Sequence, residues 1–195
     1  MREVITDMLL RTIKSTDNLM KHVSMRGWIG NPPAYQHLPA GTTEKLHCGE
    51  AGCLWDLLTY RYDTLHFTEV MSSVVHDNEL KVVFAAGIQL LKKQIEQIEK
   101  ELINFGIPLP KRPADVTISL NNKDLWEESH VYRMTLRGMQ GAGALHVRSF
   151  KKMSSNHRLR AFIATLLQQE IEKINDLIRY GKLKGWLHPV PKFGP

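Results

Sequence analysis

The chain has 195 residues, a mass of 22.4 kDa and a formal net charge of +6, and 43% of its residues are hydrophobic while 24% are charged. This balance is typical of a globular protein and argues against a disordered chain. No apolar run approaches the roughly 18 residues that a membrane span needs, and the first residues alternate charges with hydrophobes. We therefore expect no membrane association and a cytoplasmic protein. Basic residues are spread along the chain without a recognised binding motif, so nucleic acid is not the expected partner.

One phrase of sequence occurs twice at a constant offset, near the start and at the end of the chain. Its shared residues are Gly27, Trp28 and Pro33 in the first copy and Gly185, Trp186 and Pro191 in the second. Apolar positions of the two preceding segments also match, with Ile5, Leu9, Ile13 and Met20 corresponding to Ile163, Leu167, Ile171 and Ile178. In each copy a glycine is placed to end a helix. We interpret the phrase as the trace of a duplication.

Hydrophobic periodicity predicts five α-helices and almost no β-strand. The helices are expected over residues 3–25, 43–75, 78–105, 125–152 and 157–183. Asp77 is placed to cap the third helix, whose apolar residues recur every three or four positions as in a helix bundle. Gly138–Ala144 places three glycines inside the fourth helix. They weaken a helix, so we expect them to admit a neighbouring helix closely or to leave room for a ligand.

The predicted domain organisation follows from the repeat. Residues 1–40 hold one helix and a linker, which we interpret as the remnant of a duplicated bundle, and residues 41–195 hold a complete four-helix bundle. A lone amphipathic helix is marginal in water and must pack on its own chain or on a partner. We expect a homodimer in which this helix contributes to the interface, with Trp28 and Trp186 as matching anchors. A monomer of five helices is the competing arrangement.

Several segments together resemble a known family. They are Glu50–Trp55, Ile95–Ile98, Phe105–Pro110, Gly185–Leu187 and Pro191. In these the chain resembles ferritin-like proteins of unknown function from spore-forming Firmicutes, some of them spore coat-associated and similar to spore coat protein F. The resemblance implies an all-α, ferritin-like up-down four-helix bundle, here with an extra N-terminal helix. It also implies a location in the spore coat and other coat proteins as partners.

Ferritin-like enzymes hold metals with one Glu on each of two helices and a Glu-x-x-His pair on each of the other two. Glu-x-x-His occurs here at Glu44/His47 and Glu127/His130. Both pairs lie at predicted helix starts, where Glu usually complements the helix dipole. The helix over 78–105 has no histidine, and Gln94 stands where the family pattern implies one.

A looser set of possible metal ligands remains. If the helices alternate up and down, His66 and Glu69 lie at the same height as His146, and Glu170 is a further lone carboxylate on the final helix. Imidazole and carboxylate together suit iron, manganese or zinc. The set is incomplete, so no cofactor and no catalytic residue are expected.

The sequence is compatible with two functions of different classes. The leading interpretation is a non-enzymatic helical protein that acts through assembly or interaction, with the spore coat as its setting. The alternative is a metal-binding ferritin-like oxidase or storage protein.

Overall fold

The computed structural model describes residues 2–28, 44–114 and 126–187. Within these ranges the chain forms five α-helices and no β-strand, which confirms the predicted all-α class. The helices are α1 (Arg2–Met25), α2 (Cys48–Val74), α3 (Asn78–Asn104), α4 (Glu128–Lys152) and α5 (His157–Leu183). The predicted first residues of α2 and α4, 43 and 125, lie outside the described residues. No helix in the described part of the chain is long and apolar enough to cross a membrane.

Helices α2 to α5 form a four-helix bundle in which α2 packs against α3 and α4, and α4 packs against α5. The largest group of buried side chains includes residues of all four helices, among them Leu54 and Leu58 on α2, Ile98 and Leu102 on α3, and Ile163 on α5. These are positions that the three- and four-residue spacing predicted. Trp55, which follows Leu54 on α2, is 40% exposed and lies outside this core.

The directions of the helices follow from contacts at their ends. Glu128 at the start of α4 accepts a hydrogen bond from the backbone N–H of His76, just beyond the end of α2. Glu50 near the start of α2 accepts bonds from the backbone N–H and hydroxyl of Ser155, just before α5. α4 therefore runs opposite to α2, and α5 runs parallel to it. The order is up, down, down, up, so the end of α3 and the start of α4 lie at opposite ends of the bundle.

Both copies of the repeated phrase end a helix in the same way. Gly27 and Gly185 adopt left-handed φ angles of 67° and 70°. The next residue in each copy donates its backbone N–H five positions back, from Trp28 to Val23 at 3.0 Å and from Trp186 to the Gly181 carbonyl at 2.9 Å. This is the hydrogen-bond pattern of a Schellman cap. α3 ends with the same pattern, so the geometry is not particular to the repeat and duplication stays a prediction. Pro33 and Pro191 lie outside the described residues.

The two tryptophans of the phrase differ in their surroundings. Trp186 packs on the rings of Tyr132 and Tyr180, with ring centroids 5.9 and 5.6 Å away. Trp28 is 71% exposed and meets only the edge of the His22 ring among the ring contacts described. Within the chain, Trp186 anchors the end of its helix to the bundle. Among the described residues, Trp28 makes no such contact with the bundle of its own chain, contrary to the prediction that it anchors its helix in the same way.

Helix α1 packs along α5 of its own chain. The Arg160 side chain, which is fully buried, donates from Nε to Oδ1 of Asp17 at 2.7 Å. The half-buried Leu10, Ile13 and Met20 lie on the same face of α1 as Asp17. Within the single chain, α1 therefore covers its own bundle. This is the five-helix arrangement that competes with the predicted dimer.

The glycine-rich centre of α4 stays helical and is approached by a side chain from α2 rather than by a backbone. The Tyr60 hydroxyl donates to the Gly138 carbonyl at 2.9 Å. A Cβ atom on Gly141 would lie 2.9 Å from that hydroxyl oxygen. The missing side chain thus lets a tyrosine reach a helix carbonyl across the interface.

Candidate functional site

A cluster of three ionisable side chains lies in the middle of the bundle. Arg61 comes from α2, His146 from α4 and Glu170 from α5, and their relative exposures are 2%, 0% and 6%. Arg61 Nη2 lies 2.7 Å from Glu170 Oε2 and 3.0 Å from His146 Nε2. One guanidinium nitrogen therefore joins three helices.

The protonation of His146 follows from these contacts. A guanidinium only donates hydrogen bonds, so His146 Nε2 must be the acceptor and the ring hydrogen lies on Nδ1. Burial first, and the positive charge of Arg61 second, lower the pKa of His146 to about 3. The imidazole is neutral at neutral pH, and the Glu170 carboxylate offsets the charge of Arg61. The cluster as a whole carries no net charge.

The structure brings together two of the four predicted metal ligands and separates them from the other pair. His146 and Glu170 meet at Arg61, whereas His66 and Glu69 line a surface cleft of about 520 Å³ between α2 and α3. Glu69 there pairs with Lys92 at 3.1 Å. The predicted grouping assumed that α4 runs parallel to α2, and its opposite direction moves His146 away from the height of His66.

The other candidate ligands have structural contacts. Glu44 binds the guanidinium of Arg158, and His47 precedes the first residue of α2 as its N-cap. Gln94 donates to Gln169 at 2.8 Å. Across the described ranges no group of three or more His, Cys, Asp or Glu side chains could hold a metal ion.

The donors of the central cluster do not fit a metal. Arg61 places a fixed positive charge within hydrogen-bond distance of both His146 and Glu170. A divalent cation bound by the same atoms would face that charge in a buried site, where repulsion is strong. No chemical step through a metal is derived from this cluster.

We expect the protein to contain well below one equivalent of iron, manganese or zinc per chain as purified, and to show no ferroxidase activity. The reason is the guanidinium that already binds the two central donors. Elemental analysis of protein purified without chelator measures the content. About two metal ions per chain would contradict this prediction and favour the oxidase or storage protein.

A second feature is the apolar outer face of α1. Val4, Ile5, Met8 and Leu19 are 61%, 59%, 61% and 60% exposed. Ile5, Met8, Thr12, Ser15 and Leu19 follow a three-four spacing on one side of the helix, and none of them is charged. The charged residues of α1 lie outside this line, which is the pattern of a helix seam.

The sequence predicted a single apolar stripe on α1, whereas in the structure the residues of that stripe lie on two different faces of the helix. Ile13 and Met20 are half-buried towards α5. Ile5 is exposed, and Leu9 lies between the faces at 37% exposure. The uncharged Thr12 and Ser15 between Met8 and Leu19 are the signal that could have revealed the second face.

The family of the chain follows from its sequence over most of its length. Residues 35–194 match the profile of the family described as protein of unknown function DUF3231, and the chain belongs to that family. No curated protein matches the sequence.

Two solved structures are similar to this fold. The first is a candidate spore coat protein (BH2358) from Bacillus halodurans C-125, with a TM-score of 0.69 and 19% identity, covering 78% of this chain and 98% of that one. The second is a conserved hypothetical protein, rv2844, from Mycobacterium tuberculosis, with a TM-score of 0.60 and 13% identity, covering 75% of this chain and 97% of that one. At these identities the similarity shows the shared helical fold.

Proposed function

We propose that this protein is a non-enzymatic helical component of the spore coat that acts by assembly. The description of the Bacillus halodurans neighbour supports the setting. The observation that carries assembly is the uncharged, exposed outer face of α1. Four large apolar side chains on one helix are more than the scattered apolar residues of an ordinary surface, and such patches mark interaction sites.

We propose further that the first occupant of this face is a second copy of the chain. A face that is uncharged along its length can lie against its own copy without placing like charges together. Closed two-fold pairs are the commonest soluble oligomers. In such a dimer α1 packs on α5 through Asp17 and on the partner through Ile5 and Met8. Higher assembly with other coat proteins would start from this unit.

The full chain is expected to be a dimer in solution, and Ile5→Glu is expected to weaken it. A charge within an apolar helix seam loses its hydration without gaining a partner. We expect the dissociation constant to rise more than tenfold, which is about 1.4 kcal/mol. Light scattering over a concentration series measures this change.

Ile103→Glu on α3 is the matched control, because Ile103 is 61% exposed against 59% for Ile5. It should leave the dimer unchanged. Point variants are preferable to deleting α1, since deletion would uncover the buried Arg160. A monomeric wild-type chain, or a dimer that Ile5→Glu leaves intact, would show that α1 does not hold two copies together.

The ferritin-like nature of the bundle is also a proposal. It is supported by the order up, down, down, up, in which the end of α3 and the start of α4 lie at opposite ends of the bundle, as in ferritin-like folds with one long crossover. In this proposal Arg61 takes the place of the metal ions at the centre of the bundle. The scaffold is then retained for assembly rather than for catalysis.

A further inference from the structure

The bundle contains a cavity that the proposed assembly does not use. It has a volume of about 300 Å³ and lies between α3 and α5, with α2 and α4 behind it. α3 and α5 do not pack closely along their length, unlike the other neighbouring pairs. Gln94 and Gln169 bridge the gap at one point, and Asp77 bonds to Tyr180 at 3.0 Å towards one end. The cavity opens between these two bridges.

The walls of the cavity are mainly apolar. Large apolar side chains from all four helices line it, namely Phe67, Phe84, Leu91, Met139 and Leu177. The volume equals that of about ten water molecules and reaches the lower limit of small-molecule pockets. An apolar space of this size is poorly solvated, so an apolar molecule would gain contacts there.

The inner wall carries the central cluster. Arg61 and Glu170 both line the cavity, and Arg61 Nε is buried without a hydrogen-bond partner. The Glu170 carboxylate offers about four acceptor positions, and Arg61 is its one described partner. A ligand that donates a hydrogen bond would therefore find an acceptor at the inner end.

The charges around the cavity cancel. Arg61 pairs with Glu170 on the inner wall, and Lys173 pairs with Asp176 at 3.4 Å on the α5 side. A charged ligand would lose its hydration without meeting an unbalanced opposite charge. The lining thus favours an uncharged molecule.

We propose that this cavity binds a small, uncharged, mainly apolar molecule that carries a hydroxyl or amide N–H. The apolar body lies between Phe84 and Leu177, and the polar hydrogen is donated to Glu170. The molecule enters between α3 and α5 beside Gly87, where a Cβ atom would meet nothing within 4 Å. Bound there, it fills the gap between these two helices.

The full chain and three naphthalene probes of similar size test this proposal. 2-Naphthol is uncharged at neutral pH and donates a hydrogen bond, 2-methoxynaphthalene lacks the donor, and 2-naphthoate is charged. We expect 2-naphthol to bind at one site per chain and the other two to bind at least tenfold more weakly. Titration followed by ligand-observed NMR or calorimetry measures the three affinities.

Gly87→Phe places a ring in the entrance and should weaken 2-naphthol binding at least tenfold. If Gly87→Phe perturbs folding, Gly87→Leu is the alternative variant. Its smaller side chain should also weaken 2-naphthol binding. The control is Gly52→Phe, at an exposed glycine of α2 outside the cavity. Absence of 2-naphthol binding, equal binding of 2-naphthoate, or binding that both Gly87 variants leave unchanged would overturn the proposal. None of these results depends on whether the chain is a dimer.

Discussion

Arg61→Met is expected to destabilise the protein by about 3 to 5 kcal/mol, because it leaves the Glu170 carboxylate buried without its cation. The two side chains are 2% and 7% exposed, so bulk water solvates the unpaired carboxylate poorly. His146 Nε2 loses its only described donor in the same change. Chemical denaturation at neutral pH gives the free energy of unfolding.

The double variant Arg61→Met/Glu170→Leu should recover much of this loss. Replacing both members of a buried ion pair by apolar residues of similar size is often neutral or stabilising. The matched single control is Lys92→Met, which breaks the exposed pair with Glu69 and should cost no more than about 1 kcal/mol. If Arg61→Met were as mild as Lys92→Met, the central ion pair would not contribute to folding as argued.

The local features of the fold were predictable from sequence because short-range chemistry decides them. Asp77 caps α3 by accepting from the Leu80 N–H at 2.9 Å, as its position before an apolar repeat predicted. Gly27 and Gly185 end their helices with the left-handed geometry that glycine favours. Such features need only residues within a few positions of one another.

The central cluster depends on contacts that the local pattern does not encode. Arg61 and Glu170 are 109 positions apart and each lies in the middle of its helix, so their meeting depends on how α2 and α5 face each other in the bundle. The direction in which each helix runs is a tertiary property that the spacing of residues along the chain does not determine. A signal was nevertheless present, because Arg61 lies on the same helix face as Leu54, Leu57 and Leu58. A charged residue at such a position is rarely buried without a partner.

The two copies of the repeated phrase differ because their neighbours in the fold differ. Tyr132, from α4, packs against Trp186 and also touches the backbone of Gly181. The position equivalent to Gly181 in the first copy is Val23, and α1 contacts α5 but not α4 closely. Among the described residues, no tyrosine ring packs on Trp28. The match between the two copies is visible in the sequence, whereas the side chains that surround each tryptophan are determined by the tertiary fold.

Gly181→Ala is the second substitution with a large expected effect. A Cβ atom at this position would lie 2.0 Å from Oη and 2.1 Å from Cζ of Tyr132, so the buried ring would have to move away from Trp186. Overpacking of this kind costs about 1 to 3 kcal/mol, and we expect the upper part of that range. The better helix propensity of alanine offsets at most about 1 kcal/mol of it. Thermal and denaturant unfolding measure the difference.

Gly52→Ala is the matched control for this prediction, because a Cβ atom there meets nothing within 4 Å. It should raise stability by up to about 1 kcal/mol. Tyr132→Phe keeps the Cζ atom and should not rescue Gly181→Ala, whereas Tyr132→Leu removes the distal ring atoms and should reduce its cost. A Gly181→Ala variant as stable as Gly52→Ala would mean that the ring is free to move. The Tyr132 ring would then not fix the end of α5 against α4 through close packing on Gly181.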